Sequence, residues 1–219
     1  MNAEALHNSF RELREGLSEN QSIRLHRAIS WLRCAEGYGL NGNNGKSDDD
    51  IAFIALWIAF NACYAIDDES DPGTDSRTNF DRFTRKLCEL DQEHRIHNLL
   101  WMKYSQFVRL IIDNKYVFAP FWTSARAGNS DWESSFAQSK KLALHALANN
   151  DTPLLLSIIL DRLYVLRNQL VHGGATYKSQ VNRSQVRDGK NLLFELIPVC
   201  IELMLTEEDW GEIYYPVVD

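Results

Sequence analysis

The stretch Leu163–Gly174, LYVLRNQLVHGG, decides how the rest of the chain is interpreted. It closes a helix predicted to begin at Asp151-Thr152-Pro153, where either of the first two side chains can accept hydrogen bonds from the free backbone amides. Proline suits the first helical position because its missing N–H costs nothing there. The Gly173-Gly174 pair supplies a C-terminal stop. The pattern therefore predicts a helix of about twenty residues, roughly 30 Å long.

Arg167 has only apolar or aromatic neighbours one turn away along this helix. Leu163 and Tyr164 precede it, and Leu170 and Val171 follow it. A guanidinium on an apolar stripe is costly unless it is paired or held at an interface. Near a helix end it can instead extend its charged head into water. Spacing alone leaves both interpretations open.

Asn168 and His172 lie four residues apart and share a neighbouring face of the predicted helix. The helix therefore ends with an arginine, an amide and an imidazole near one terminus. A histidine just before glycine is also typical of an ordinary helix C-cap, which the helix dipole favours.

The motif formed by Arg167, Asn168 and His172 resembles the signature of HEPN domains. That signature is an arginine, a polar residue, and a histidine after four to six intervening positions; four residues intervene here. Its place late in a helical chain of this length is also similar to the family. The resemblance covers about residues 150–205, and more loosely 21–66.

The HEPN resemblance implies an all-α, HEPN-like helical bundle and a metal-independent endoribonuclease. The 2′-hydroxyl of the RNA would attack the adjacent phosphate, leaving a 2′,3′-cyclic phosphate and a 5′-hydroxyl. In that reaction His172 carries protons, Arg167 stabilises the phosphorane, and Asn168 orients the imidazole or the phosphate. The resemblance further implies a homodimer with a composite site, no cofactor, and a role as a toxin or antiphage-defence effector. An antitoxin or a defence-system protein would then be its partner.

The net charge of −7 argues against a generic nucleic-acid coat protein, so contact with RNA requires a local basic patch. Four cations follow the motif closely, against the single Asp188. These cations could form an ordinary solvated face, but their position beside the motif favours a phosphate-binding patch. The predicted phosphate-binding residues are Lys178, Arg183, Arg187 and Lys190.

The remaining composition favours a cytoplasmic protein. Four scattered cysteines without a CxxC pair are typical of reduced thiols in the cytosol, and the N-terminal residues do not resemble a signal peptide. The run Ile51–Ile66 has sixteen uncharged residues, whereas a membrane span needs about twenty. We therefore expect a central core helix rather than a membrane anchor. Its one amide, Asn61, is either a support for the motif or a hydrogen-bonded core residue.

The chain is predicted to form one domain, 1–219, with additional short helices. Residues 1–20 are expected to form a short, weakly amphipathic helix or a loose N-terminal arm, 67–150 a helical elaboration, and 207–219 a C-terminal tail. Predicted helices cover about 21–37, 51–66, 80–90, 96–111, 132–147, 151–172 and 186–205, the last with a kink at Pro198. Residues 116–122 are predicted to be an aromatic connector.

Two other functions remain as alternatives. The first is a catalytically silent HEPN-like module that binds a nucleotide, RNA or a protein. The second is a helical metalloprotein using His94 and His97, for which no third ligand is evident. The acidic segment 67–78 does not fit a calcium-binding EF-hand because its glycine is misplaced and its twelfth residue is Thr78. We therefore predict no metal site.

Overall fold

The computed structural model describes residues 1–39, 47–65, 76–207 and 210–213. Within these ranges the protein is all-α and contains no β-strand, which confirms the predicted fold class. A π-helical turn and two short 3₁₀ turns lie between the longer elements. The helices are α1 Ala3–Leu13, α2 Glu19–Gly39, α3 Asp49–Tyr64, α4 Ser76–Leu90, α5 Arg95–Asn98, α6 Ser105–Ile112, α7 Ala119–Ala127, α8 Trp132–Ala148, α9 Thr152–Val171 and α10 Arg183–Leu205.

The chain divides into two compact units, although its sequence predicts one domain. The first unit combines Met1–Phe83 with Lys190–Asp219, and the second is Thr84–Gly189. Much of the predicted elaboration 67–150 groups with the motif helix α9 in the second unit.

The first unit is built on the packing of α2 against α3. Asp48 caps α3 by accepting a hydrogen bond from the Ile51 amide at 3.3 Å, as the aspartates before this helix predict. Phe53, Trp57 and Phe60 are buried, so α3 is the expected core helix. None of the described helices is long and apolar enough to span a bilayer.

Arg24 ties the end of α3 to the C-terminal part of the first unit. The side chain is 1% exposed, and its guanidinium donates to four backbone carbonyls. Two belong to Cys63 and Ala65, at 2.8 and 3.0 Å, and two to Gly211 and Glu212, at 3.0 and 3.2 Å. The buried charge thus satisfies carbonyls that the end of a helix leaves without intrahelical partners.

The second unit packs α9 against α6, α8 and the 3₁₀ turn Lys115–Val117. The first half of α9 is almost continuously buried, from Leu155 to Leu160. Exposure increases toward its C-terminus, where Val171 is 50% exposed. Burial of the first half fixes the helix in the unit and leaves its last turn accessible.

Several predicted element boundaries are corrected by the structure. The helix predicted over 96–111 is interrupted by the π-helical turn Leu99–Lys103 and by Tyr104, whose φ and ψ are −111° and 20°. The connector predicted over 116–122 contains the 3₁₀ turn and the start of α7. Helix α10 begins at Arg183 rather than at residue 186 and continues through Pro198. Of the helix or loose arm predicted over residues 1–20, the structure contains the helix, α1. Residues 67–75 of the predicted acidic loop lie outside the described residues.

Candidate functional site

The motif helix α9 begins at the predicted N-terminal cap and ends at the predicted glycine stop. Asp151 Oδ1 accepts a hydrogen bond from the Leu154 amide at 3.2 Å, so Asp151 is the cap. His172 is the C-cap residue, and its amide donates to the Asn168 carbonyl at 2.9 Å. Gly173 then adopts a φ of +70°, a left-handed conformation that glycine accommodates without strain. This reversal turns the following loop back toward the helix end.

A cleft of about 630 Å³ opens at this end of α9, inside the second unit. Its volume falls within the range of about 300–1,000 Å³ that is usual for small-ligand pockets. Helix α9 contributes Asn168, Gln169 and His172, and the loop after α9 closes one side with Asn182. The opposite wall consists of residues from the 3₁₀ turn and α7: Tyr116, Ala119, Trp122, Thr123 and Arg126.

Gln169 connects the walls of the cleft through its side-chain amide. Its Nε2 donates to the Tyr116 carbonyl at 2.5 Å, and its Oε1 accepts from Asn182 Nδ2 at 2.8 Å. The same Tyr116 carbonyl accepts from Trp122 Nε1 at 2.8 Å. Gly174 packs against Gln169, where an added Cβ would lie 3.1 Å from the Gln169 carbonyl oxygen. One amide therefore holds the 3₁₀ turn, α9 and the following loop in register.

Asn168 and His172 present different chemistry to the cleft. His172 is exposed at the rim, where it can exchange protons with a bound molecule and with water. Asn168 is half-buried, and its Oδ1 atom is buried without a hydrogen-bond partner. Asn168 Oδ1 therefore accepts no hydrogen bond from the His172 imidazole.

Arg167 is the motif residue that does not line the cleft. It lies five residues before His172, which places the two side chains about 140° apart around the helix. Its guanidinium packs over the Tyr164 ring, 4.8 Å from the ring centroid. Solvent exposure increases along the predicted apolar stripe around it, since Leu163 is fully buried whereas Val171 is half exposed. Within one chain, the motif arginine and histidine face different surroundings.

The four predicted phosphate-binding residues have different environments. The exposed Lys178 holds its ammonium 4.9 Å from the Tyr177 ring centroid. Arg183 Nε donates to the Ser179 carbonyl at 2.9 Å and braces the loop after α9. Arg187 Nε lies 3.1 Å from a carboxylate oxygen of Asp188.

Lys190 differs from the other three predicted phosphate-binding residues because it is buried in an ion pair. It belongs to the first unit, is 7% exposed, and donates to Asp49 Oδ1 at 2.6 Å. Its ammonium is therefore engaged with the first turn of α3 rather than free to bind a phosphate. Sequence spacing could not anticipate this ion pair because its partners are 141 residues apart.

Two further candidate residues from the sequence, Asn61 and His97, do not line this cleft. Asn61 lines another cleft, of about 560 Å³, in the first unit beside Trp31 and Tyr64. In the second unit, His97 stacks on Trp101 with ring centroids 4.4 Å apart, and its Nε2 lies 3.4 Å from Asn150 Oδ1. Across the ranges that the structure describes, no group of three or more His, Cys, Asp or Glu side chains is placed to hold a metal ion.

Sequence reasoning did not identify the wall formed by Tyr116, Trp122 and Arg126. Its signal was the run of aromatic residues over 116–122, which was interpreted as a packed connector. Tyr116 and Trp122 are nevertheless 47% and 38% exposed. Gln169 was also missed, although it lies inside the motif, because its partners are brought together only by the fold.

Comparisons of the chain with known protein families, curated proteins and solved structures found no match. The function must therefore be argued from the residues of the cleft and from the motif.

Proposed function

We propose that the protein is a metal-independent endoribonuclease that cleaves RNA by attack of the 2′-hydroxyl on the adjacent phosphate. The observation that carries this proposal is the cleft at the end of α9, which His172 and Asn168 both line. The resemblance of the motif to HEPN domains supports the same reaction. A role as a toxin or antiphage-defence effector, with an antitoxin or defence partner, belongs to this proposal and rests on that resemblance alone.

The reaction requires one proton to be removed and another to be supplied. A neutral imidazole takes the proton of the 2′-hydroxyl as the new bond from oxygen to phosphorus forms. A protonated imidazole gives a proton to the departing 5′-oxygen as the old bond breaks. Histidine serves both steps near neutral pH. His172, at the exposed rim, is the residue proposed for them.

One chain supplies only one such histidine, so the proposed catalyst is a two-fold homodimer. The surface around Arg167 supports this arrangement. Val171 is half exposed, Tyr164 and Leu170 are half-buried, and together they extend an apolar stripe to the end of α9. A self-complementary contact through this stripe would bring two motifs together. Arg167 would then meet the phosphorane charge at the shared site rather than inside its own cleft.

The test is cleavage of a labelled single-stranded RNA by the wild type, His172→Ala and Arg167→Ala, each with EDTA present. We expect each substitution to lower the rate by roughly 10²–10⁴-fold, because each removes a proton carrier or a charge-stabilising donor. EDTA should leave the wild-type rate unchanged, and the products should end in 2′,3′-cyclic phosphates.

The matched control is His145→Ala, since His145 is an exposed histidine on α8 of the same unit. It should cleave at the wild-type rate, and melting curves should show that all variants fold. Full activity of His172→Ala, or activity only with added metal, would contradict the mechanism.

A catalytically silent module that binds RNA or a nucleotide is the second candidate. It is favoured by the position of Arg167, which stacks on Tyr164 and does not share the cleft with His172. The same assay separates the two functions: a folded, dimeric wild type that binds RNA and never cleaves it would establish the silent module.

A further inference from the structure

We propose that the cleft binds single-stranded RNA by stacking one unpaired base against Trp122 and Tyr116, with Arg126 contacting the backbone phosphate. This inference rests on the proposed function for its ligand class and adds the substrate form, an unpaired strand. The residues that carry it come from the 3₁₀ turn and α7, outside the motif.

The aromatic wall has the exposure and support of a stacking surface. Trp122 is held in place by the hydrogen bond from its Nε1 to the Tyr116 carbonyl and by Phe121, whose ring meets it edge-on at 5.2 Å. Tyr116 makes a similar edge contact with Phe121 at 5.3 Å. Unpaired bases are commonly bound by aromatic side chains because every base has a π-face.

The charge around the cleft favours an anion despite the acidity of the protein. Arg126 and His172 line the cleft, and no carboxylate is among its described lining residues. The Lys115 ammonium also lies 5.3 Å from the centroid of the Tyr116 ring. In a chain with a net charge of −7, a cleft without carboxylates is a local exception suited to a phosphate backbone.

The Oδ1 atom of Asn168 completes the fit to a base rather than to a simple apolar molecule. This buried acceptor has no hydrogen-bond partner and belongs to a residue that lines the cleft. Every base carries an amino or imino N–H on its Watson–Crick edge, and rotation of the Asn168 amide toward the cleft would let its Oδ1 atom accept from that group. Pairing in a duplex occupies that edge, so the cleft should select unpaired strands.

Binding is best measured with a fluorescent 2′-O-methyl oligonucleotide, because it lacks the attacking hydroxyl and remains intact. Trp122→Ala should weaken its binding by roughly 5–150-fold, the usual range for one lost stacking contact. Trp122→Phe should retain most of the affinity. The matched control is Trp31→Ala, since Trp31 is 40% exposed and lies in the first unit. It should bind like the wild type.

An abasic oligonucleotide separates stacking from charge. Trp122→Ala should bind it with the wild-type affinity, since no base remains to stack. Arg126→Ala should weaken binding of both oligonucleotides and reduce the slope of log affinity against log salt by about 0.7, the value for one contact to a single strand. Arg109→Ala, which removes an exposed arginine from α6, should leave the slope unchanged.

The inference is overturned if the wild type does not bind the 2′-O-methyl strand, if Trp122→Ala binds it normally, or if the abasic strand shows the same loss. It is also overturned if duplex RNA binds as tightly as the single strand. Cleavage is scored separately on ordinary RNA. Binding that depends on Trp122 without any cleavage would support this inference while rejecting the nuclease.

Discussion

At the scale of single residues, the buried guanidinium of Arg24 requires hydrogen-bond acceptors inside the first unit. Burial lowers the pKa of Arg24, yet arginine remains charged at neutral pH and needs acceptors in the interior. Four backbone carbonyls provide them. An apolar replacement would leave these buried carbonyls without their donor, which is usually the more costly half of a lost hydrogen bond.

We predict that Arg24→Met lowers the free energy of unfolding by roughly 3–5 kcal/mol, since several carbonyls lose their donor at about 1–3 kcal/mol each. The exposed Arg33, on the same helix, provides the matched control Arg33→Met, which should change it by less than about 0.5 kcal/mol. Urea denaturation followed by circular dichroism measures both. Equal effects of the two substitutions would show that the carbonyl contacts of Arg24 contribute little.

At the scale of elements, the last turn of α9 joins two surfaces, the cleft on one side and the stripe around Arg167 on the other. If the stripe is the dimer interface, a charge at its exposed end should disrupt it. We predict that Val171→Lys raises the dimer dissociation constant roughly tenfold or more, because it places a cation beside Arg167 in an apolar contact.

Leu144→Lys is the control for this dimer prediction. Leu144 is 49% exposed on α8, close to the 50% of Val171. Lysine also suits a helix C-terminus, so Val171→Lys should not destabilise α9 itself. Sedimentation at micromolar concentration gives the dissociation constants. A wild type that stays monomeric while cleaving RNA would exclude the composite site.

The elements that could be predicted from the sequence are those set by local chemistry. The cap at Asp151, the stop at Gly173 and the buried run of α3 depend on neighbouring residues, and the structure contains all three. The interruption at Leu99–Lys103 has no such signal, since no proline or glycine marks it. The Lys190–Asp49 pair and the Gln169 network depend on contacts between distant segments, which periodicity does not encode.

At the scale of the whole molecule, each unit contains a cysteine whose ionisation is suppressed. Burial raises the pKa of Cys63 in the first unit to about 12. Burial, followed by the nearby Asp91 carboxylate, raises the pKa of Cys88 in the second unit to about 12. Both thiols are free, and at pH 8 both remain protonated and therefore weakly nucleophilic.

We predict that iodoacetamide leaves Cys63 and Cys88 unmodified in the native protein at pH 8 and modifies both after denaturation. Peptide mass spectrometry would then report the opening of each unit separately as urea is added. Rapid native labelling of Cys63 would contradict its burial, and rapid labelling of the half-buried Cys88 would contradict the raised pKa of its thiol.

The same shifts predict alkaline destabilisation. In the unfolded chain these thiols lose their protons near the ordinary pKa of 9.0, whereas in the folded chain they keep them until about 12. The unfolded state therefore binds fewer protons across this window, and the free energy of unfolding falls as the pH rises from 9 toward 12. Replacing both cysteines with alanine should reduce this fall.

The contacts of Arg24 with Gly211 and Glu212 also have a consequence for the order of events during synthesis. They join residues more than 180 positions apart, and the first unit is interrupted in sequence by the whole of the second. Because the ribosome makes the chain from its N-terminus, Thr84–Gly189 is synthesised before Lys190–Asp219. Until the last segment emerges, α2 and α3 of the nascent first unit must hold the Arg24 guanidinium without its final two carbonyls.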